Sequence, residues 1–346
     1  MTLLSHALRT LLALAGLAST LASPRLAAAQ DAGPRVRYIL SIGNYPRVDG
    51  IRLNFRDGDL NLVRGANITL WQPYDGEWSG TVKGLAIGLP STGARDISGF
   101  GAGILGLAAS HDIFGIALGG IGVGAGNDLR GIAIGGIGAG VGGDVRGAAA
   151  GIIGVGAGGN VAGLIIGGIG AGAGGNVRGI AFGGVGVGAG GDASGLLIGG
   201  IGVGAGGDAT GILLGGVGVG AGGDVTGVAL GLVGVGAGGR VRGLALGGIG
   251  VGAPEIEGIA VGSMVGAEEV TGFVFAPVYF RTEVGGRITG ATVSAVNRVR
   301  GDLSGLSIGL VNYAWAARGV QLGVVNIIRD NPRGRKVLPI VNWGSR

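Results

Sequence analysis

The chain of 346 residues contains no cysteine, which excludes disulfide scaffolds, zinc fingers, iron–sulfur sites and cysteine nucleophiles. Charged residues make up 13%, about half the usual share, and aromatic residues 5%. Histidine occurs only twice, as His6 and His111. A catalytic triad or a histidine-based metal site cannot be built from so few histidines without other strong ligands. We therefore predict no catalytic, cofactor-binding or metal-binding residue, no small-molecule substrate and no enzymatic activity.

What the chain has instead is glycine, at 87 of its 346 positions. The mean hydropathy of +0.57 argues against a solvated disordered chain, because disorder requires low hydrophobicity. Glycine does not recur at every third position, so the chain is not a collagen.

Residues 1–29 have the pattern of a secretory signal peptide. Arg9 precedes the apolar run Thr10–Ala22, which is too short to span a membrane, and Ala27–Ala29 fits the small-residue cleavage rule. Cleavage after Ala29 leaves 23 basic and 20 acidic side chains, a net charge of +3. The remaining arginines are scattered along the repeats, so we predict no nucleic-acid partner.

The body of the chain is a 16-residue repeat, of which GIAIGGIGAGVGGDVR from Gly131 to Arg146 is a typical copy. Weaker copies with the same Gly-apolar-x-apolar opening extend in both directions. This pattern predicts one continuous array with four segments: 1–29 signal peptide, 30–114 capping and degenerate repeats, 115–257 regular repeats, and 258–346 degenerate repeats with a C-terminal cap. The regular copies open at Gly115, Gly131, Gly147, Gly163, Gly179, Gly195, Gly211 and Gly227.

Apolar residues alternate inside each copy, which indicates strands. In the copy that opens at Gly195, Leu196 and Ile198 share one parity, and Ile201, Val203 and Ala205 follow the Gly199–Gly200 break with the other. We predict two short strands with two bends, and we expect the branched side chains of both strands to fill a narrow core.

The segment Gly147–Val177 carries no charge over 31 residues, a length that would suffice for a transmembrane helix. Thirteen of these residues are glycine, each costing about 1 kcal/mol relative to alanine in a helix. The apolar spacing also lacks the 3,4 rhythm of a helix. We therefore predict an all-β fold.

Two all-β architectures satisfy this pattern. In a parallel β-solenoid, which we favour, each repeat is one coil and like residues stack about 4.8 Å apart. In a closed antiparallel β-barrel each repeat would be one strand and turn, or a small hairpin. The phase slip at Gly-Gly and the near absence of aromatics from the regular repeats argue against a barrel. Aromatic residues near the ends are expected to cap the core, with sugar or lipid binding as an alternative: Trp71, Trp78, Tyr279, Phe280, Tyr313, Trp315 and Trp343.

Three motifs resemble chemical sites but are better explained by turns. Gly186–Gly191 matches G-x-G-x-x-G, yet no helix follows it as a dinucleotide site requires. Gly124–Ile132 resembles the calcium-binding nonapeptide of RTX solenoids, but one Asp per coil gives too few oxygens for calcium, so the Asp/Asn row is interpreted as turn formers. His111–Asp112 lies in a turn-like break and is interpreted as a polar surface turn.

The stretch from Gly305 to Gly344 contains G-L-S-I-G-L-V-N, G-V-Q-L-G-V-V-N and N-P…L-P-I-V-N-W. It resembles a family of uncharacterised bacterial surface-repeat proteins, and the resemblance implies an exported, envelope-associated protein without enzymatic activity or cofactor. The residues themselves predict that Asn312, Asn326 and Asn342 stack as a ladder. The matching residues are Gly305, Gly309, Asn312, Gly319, Gln321, Gly323, Asn326, Asn331, Pro332, Leu338, Pro339, Asn342 and Trp343.

These features predict an exported, non-enzymatic repeat protein of the bacterial cell envelope (periplasm, outer membrane or cell surface) that acts as a scaffold or interaction surface. An outer-membrane β-barrel, with a pore as one role, and a secreted enzyme with a repeat platform are the alternatives. The candidate partners are the envelope, a membrane surface or a second copy of the chain.

Overall fold

The computed structural model describes residues 39–74 and 78–345, so the predicted signal peptide lies outside the described residues. The fold is an all-β parallel solenoid of stacked coils, as predicted. The alternative of a closed antiparallel barrel is wrong, because equivalent strands of successive coils pair in parallel. The helical interpretation of Gly147–Val177 is correctly rejected, since that segment forms strands and bends.

The chain comprises two compact units, of which the second contains Gly136–Ala139 and everything from Val145 onward. The strands, in chain order, are β1 (Leu40–Ile42), β2 (Arg47–Arg56), β3 (Leu62–Trp71), β4 (Thr81–Gly88), β5 (Ser91–Ala94), β6 (Asp96–Gly103), β7 (Gly106–Ala109), β8 (Ile113–Gly119), β9 (Gly122–Ala125), β10 (Leu129–Gly135), β11 (Gly138–Val141), β12 (Val145–Gly151), β13 (Gly154–Ala157), β14 (Val161–Gly167), β15 (Gly170–Ala173), β16 (Val177–Gly183), β17 (Gly186–Ala189), β18 (Ala193–Gly199), β19 (Gly202–Ala205), β20 (Ala209–Gly215), β21 (Gly218–Ala221), β22 (Val225–Gly231), β23 (Gly234–Ala237), β24 (Arg240–Gly247), β25 (Gly250–Gly252), β26 (Glu255–Val261), β27 (Met264–Ile328, extended through its corners) and β28 (Val337–Ser345).

Each regular coil contains one long and one short strand. In the second unit, β18 pairs in parallel with β20, and β19 pairs in parallel with β21, so residue n faces residue n + 16 in the regular coils. The offset shortens to 15 between β24 and β26 and to 14 between β26 and β27. We number each repeat from its opening glycine, which is position 1. Every position therefore forms a row of equivalent residues along the solenoid, and one residue type decides the property of a whole row.

The core consists of the rows at positions 3, 9 and 15, represented by Leu197, Val203 and Ala209, each at most 4% exposed. The expectation that the branched side chains of both strands fill this core is wrong for positions 2, 4 and 7. Ile201 at position 7 is 53% exposed. The side chains at positions 2 and 4 alternate with buried position 3 and therefore point outward.

The opening glycine of each repeat is required by the backbone. Gly195 has φ of +116°, and a Cβ placed on it would lie 2.0 Å from the carbonyl oxygen of Gly179 in the preceding coil. Left-handed φ values recur at the opening glycines from Gly50 to Gly305. Each of these glycines bends its coil at a corner where the preceding coil lies too close for a side chain.

Glycine at position 10 has no such requirement. Gly204 does not have a positive φ, and a Cβ added to it meets no atom within 4 Å. The same open space lies over the equivalent residues of other coils, namely Gly156, Gly188, Gly220, Gly236, Gly252 and Gly266. The fold thus accounts for glycine at the corners but not for this row, which we call the glycine stripe.

The core row at position 3 becomes polar towards the chain ends. In the first unit, Arg52 pairs in register with Asn67, and both are fully buried where most later coils carry Ala, Leu, Ile or Val. In the second unit, Val274 at this position gives way to Thr292, Ser307 and Gln321, which are also buried. The two ends of the chain therefore carry hydrogen-bonding groups inside their coils.

The C-terminal strand β28 closes the second unit by pairing antiparallel with residues 318–327 of β27. A single 3₁₀ turn, Arg333–Arg335, precedes it. Among the aromatics expected to cap the core, Phe280 is fully buried. Trp315 and Trp343 are about half exposed, and the guanidinium groups of Arg329 and Arg335 lie 4.9 and 5.5 Å from their ring centroids.

The two kinds of glycine predict opposite mutational effects. Gly195→Ala should destabilise the protein by about 1–3 kcal/mol from backbone strain alone, with the clash against Gly179 in addition. Gly204→Ala should stabilise it by about 0.4–1 kcal/mol, because alanine restricts the unfolded chain. Urea denaturation of the two variants, followed by circular dichroism, checks this, and similar effects would contradict it.

Candidate interaction surface

The most extensive exposed feature of the second unit is a continuous apolar surface made by positions 2, 4 and 7. We call it the apolar ridge and define it over the nine coils that open at Gly147, Gly163, Gly179, Gly195, Gly211, Gly227, Gly243, Gly258 and Gly272. The residues at these three positions are Ala, Val, Leu, Ile or Phe, with one exception in the shorter coil that opens at Gly258, where Met264 pairs with Gly250 and Ser263 therefore takes the place of Ile249. Parallel pairing aligns the residues of positions 2 and 4 in register from coil to coil.

These side chains are exposed to a degree that is unusual for a contiguous apolar row. Ile169, Ile201 and Ile249, all at position 7, are 52–53% exposed, and Phe182 at position 4 is 43% exposed. Single exposed apolar residues are normal on protein surfaces, but contiguous patches of several hundred Å² mark interaction sites. The ridge is such a patch.

The glycine stripe follows the ridge closely along the coil, three residues after position 7. At Gly188 and Gly220, as at Gly204, no atom lies where a Cβ would be. A strand face without side chains allows another surface to approach the backbone closely. The second unit therefore has a row of bulky branched side chains beside a row of bare backbone.

The Asp and Asn residues at position 14 lie in the turns, as predicted, and they also link the coils. The Oδ1 atom of Asp192 accepts the backbone N–H of Asp208 at 2.9 Å, and Asp208 accepts that of Asp224 at 2.8 Å. Glycine is required at position 13, directly before the Asp or Asn, because a Cβ on Gly207 would lie 2.2 Å from Asp192 Oδ1 of the preceding coil. These oxygens have a structural role as acceptors.

Two arginines pair with glutamates where the regular row ends. The hydrogen bond and charge of Glu255 raise the pKa of Arg240, with Glu257 adding to the effect. The hydrogen bond from Arg242 Nε, at 2.8 Å, lowers the pKa of Glu257. All four groups are exposed to solvent, so this cluster is a screened surface network.

His111 lies between two carboxylates of the first unit. Its Nδ1 is 3.1 Å from both Asp96 Oδ1 and Asp112 Oδ2, and the side chain is 45% exposed. The three groups lie close enough together to hold a metal ion. Asp96 Oδ1 is also 3.3 Å from the backbone N–H of Asp112, and Asp112 Oδ1 accepts that of Asp128 at 3.0 Å. Both acids thus take part in the same inter-coil bonding as the rest of their row.

A buried polar cluster fills the first coils. Arg52 Nη1 lies 2.9 Å from Asp57 Oδ1, and both side chains are excluded from solvent. Burial lowers the pKa of Arg52, and the charge of Asp57 partly offsets this. Asp57 also accepts hydrogen bonds from Asn67 Nδ2 at 2.9 Å and Thr92 Oγ1 at 3.1 Å. Sequence reasoning missed this cluster, since IRLNFRDGDLNLV alternates like an ordinary half-exposed strand.

The predicted asparagine ladder is confirmed for Asn312 and Asn326, whereas Asn342 lies on the antiparallel strand β28 opposite Gln321 and does not stack as one more coil. Asn312 Nδ2 donates to Asn326 Oδ1 at 2.7 Å, and Asn342 Nδ2 donates to the Asn326 carbonyl at 3.1 Å. Asn297 extends the ladder by donating to Asn312 Oδ1 at 2.8 Å. Gln321 is fully buried nearby, and neither atom of its amide has a partner.

Past the ridge, an open groove of about 750 Å³ runs over the C-terminal coils of the second unit. Ile340 lines it with φ of +67° and 74% exposure. A β-branched residue in this region costs about 1–3 kcal/mol, so its surroundings must hold it there. The other lining residues include Phe275, Val293, Ile308, Leu310 and Val324.

The remaining sequence motifs gain no chemical role. Gly186–Ala189 forms β17, and a turn follows it instead of the helix that a dinucleotide site needs. The sequence analysis did not predict the ridge, although the signal was present. Both alternating sets of residues in the long strand are apolar, and only one set can face inward.

No family model, no curated protein and no solved structure matches the chain. The resemblance of residues 305–344 to bacterial surface-repeat proteins therefore stays a prediction. Among the described residues, no helix has the length and apolar character needed to span a membrane.

Asp57→Ala should destabilise the protein by about 3–5 kcal/mol, because it leaves Arg52 charged and uncompensated in the core. Asp49→Ala is the matched control, since Asp49 faces Arg64 in a surface pair at 3.5 Å whose loss should cost at most about 1 kcal/mol. Urea denaturation of both variants measures the difference. Equal losses would contradict the role of the buried pair.

Partial burial raises the pKa of Asp112, but hydrogen bonds from the Asp128 N–H and the Asn127 amide outweigh it, so the pKa lies below the ordinary value. The resulting stabilisation is present above about pH 4 and is lost as the pH falls through the lowered pKa. Asp112→Asn keeps an acceptor oxygen but cannot ionise. Its melting temperature should lie below that of the wild type at pH 6 and converge with it near pH 2; a constant gap would contradict this.

Proposed function

We propose that the protein is an exported, non-enzymatic repeat protein of the bacterial cell envelope. In this proposal the stacked coils form a scaffold, and the apolar ridge is its interaction surface. The observation that carries the proposal is the apolar ridge over nine coils, in which Ser263 is the one polar residue, because a solvated chain gains nothing from exposing isoleucine and phenylalanine in rows.

A scaffold role is supported by the bonding between coils. Each regular coil is held to the next by two parallel ladders and by an Asp or Asn oxygen at the turn, for example Asp192 to Asp208. Repeat arrays of this kind keep a regular surface over a long distance, because every coil contacts its neighbours in the same way.

The titratable groups that the structure brings together support a non-enzymatic role. Arg52 and Asp57 are buried and bonded to each other, and Arg240 is bonded to Glu255 on the surface. Asp96 and Asp112 hold backbone N–H groups beside His111. Each cluster has a structural explanation that requires no substrate.

Export is supported by the sequence, through the signal pattern of residues 1–29. The array needs neither disulfides nor a metal for its packing, since Val, Ala, Leu and Ile fill its core.

Two variants test the proposal in a Gram-negative host. The ridge variant, Ile201→Lys/Val217→Lys/Val233→Lys, places three charges on the ridge. The edge control, Ser194→Lys/Thr210→Lys/Thr226→Lys, adds the same charge at position 16 of the coils that open at Gly179, Gly195 and Gly211, in a row where Arg178 and Arg242 occur naturally. All six positions are exposed or half-buried, so both variants should fold.

We expect the wild-type chain to be exported with Gln30 as its new N-terminus, and to remain with the envelope after a salt wash. The edge control should behave in the same way, whereas the ridge variant should be exported but released by the wash. Mass spectrometry and fractionation measure these outcomes. A chain that keeps Met1 in the cytoplasm, or a ridge variant retained like the wild type, would overturn the proposal.

A further inference from the structure

We infer that the apolar ridge of the second unit is a contact surface between two copies of this chain. The inference rests on the proposed function, since it names the partner of the surface proposed there. It commits to self-association, and a lipid surface is the competing occupant.

The area of the ridge fits a stable dimer. Nine coils at a spacing of about 4.8 Å extend over about 43 Å, and the five residue steps from position 2 to position 7, which include the bend at Gly200–Ile201, cover at most about 17 Å. The resulting footprint of at most about 700 Å² approaches the roughly 800 Å² that each partner contributes to a standard protein interface. The glycine stripe adds further area at the side of the ridge.

The ridge has the composition of an interface core. Its rows contain no charged residue and one polar residue, Ser263, and Phe182, Phe273 and Phe275 provide large apolar contacts. Charged side chains lie at other positions of the repeat, such as Asp208 at position 14 and Arg242 at position 16. Two copies can therefore meet without burying an unpaired charge, and a polar rim is left around the contact.

Periodicity favours a second copy over any other partner. The ridge repeats at every coil, and another molecule of the same chain repeats at the same spacing. Branched side chains of one copy can then pack between those of the other along the whole ridge. A lipid surface or a non-repetitive protein has no repeat at the spacing of the coils.

The glycine stripe adds to this argument without carrying it. The fold does not require glycine at Gly188, Gly204 or Gly220, where added Cβ atoms would meet open space. Larger side chains there would hold an approaching copy away from the backbone next to the ridge. The same patch on both copies gives an isologous contact, which closes as a dimer instead of growing into a fibre.

Sedimentation equilibrium of the purified mature chain tests the inference. We expect the wild type and the edge control to be dimers at micromolar concentration. The ridge variant should be a folded monomer by circular dichroism, with a dissociation constant at least about 100-fold higher, because dimerisation would bury its lysines. A second variant, Gly188→Gln/Gly204→Gln/Gly220→Gln, should also weaken the dimer while remaining folded.

A monomeric wild type, or a ridge variant that dimerises like the wild type, would overturn self-association. Cosedimentation with phosphatidylglycerol vesicles then separates the remaining cases. Ridge-dependent vesicle binding by a monomer would identify lipid as the occupant and leave the proposed function intact. A monomer that binds no vesicles and is not retained in the envelope would count against both proposals.

Discussion

The structure depends on one constraint, the in-register parallel pairing of each coil with the next. Because residue n faces residue n + 16, every side chain in the regular coils has its own equivalent as its neighbour. This arrangement stabilises rows of apolar side chains, which pack on one another. In rows of charged side chains it places charges of the same sign next to each other, which is unfavourable. The acidic row tolerates it because the oxygens of Asp192 and Asp208 accept backbone N–H groups from the next coil.

The same constraint explains most of the glycine and leaves one part unexplained. At the corners, the carbonyl of one coil occupies the place of a side chain on the next, so Gly179 and Gly195 cannot be replaced without moving the ladder. At the turns, Asp192 occupies the space over Gly207. The glycine stripe is free of such contacts at Gly188, Gly204 and Gly220, and the position 8 glycines Gly186 and Gly202 would make only ordinary contacts at 3.4 and 3.5 Å, so a reason for these rows has to be sought outside the single chain.

The small core follows from the short strands. With Leu197, Val203 and Ala209 inside, a coil leaves no room for the isoleucines at positions 4 and 7. They form an outer apolar surface, so the solenoid has a buried apolar core and, in addition, an exposed apolar surface. The core row at position 3 changes from apolar to polar residues at Arg52 and at Gln321, near the two chain ends. The exposed surface continues into the groove beside Ile340.

The sequence by itself determined the repeat, its strands and bends, the parallel solenoid and the asparagine ladder of Asn312 and Asn326. Periodicity and turn chemistry are local properties, and stacking of identical coils carries them unchanged into the structure. Only the tertiary structure decided which apolar parity is inside. Alternation separates two faces but does not say which one the coil encloses, and the larger hydrophobicity of Leu196 and Ile198 pointed to the wrong face. It also decided that Arg52 and Asp57 meet in the core, because their pairing depends on how the first coils close around them.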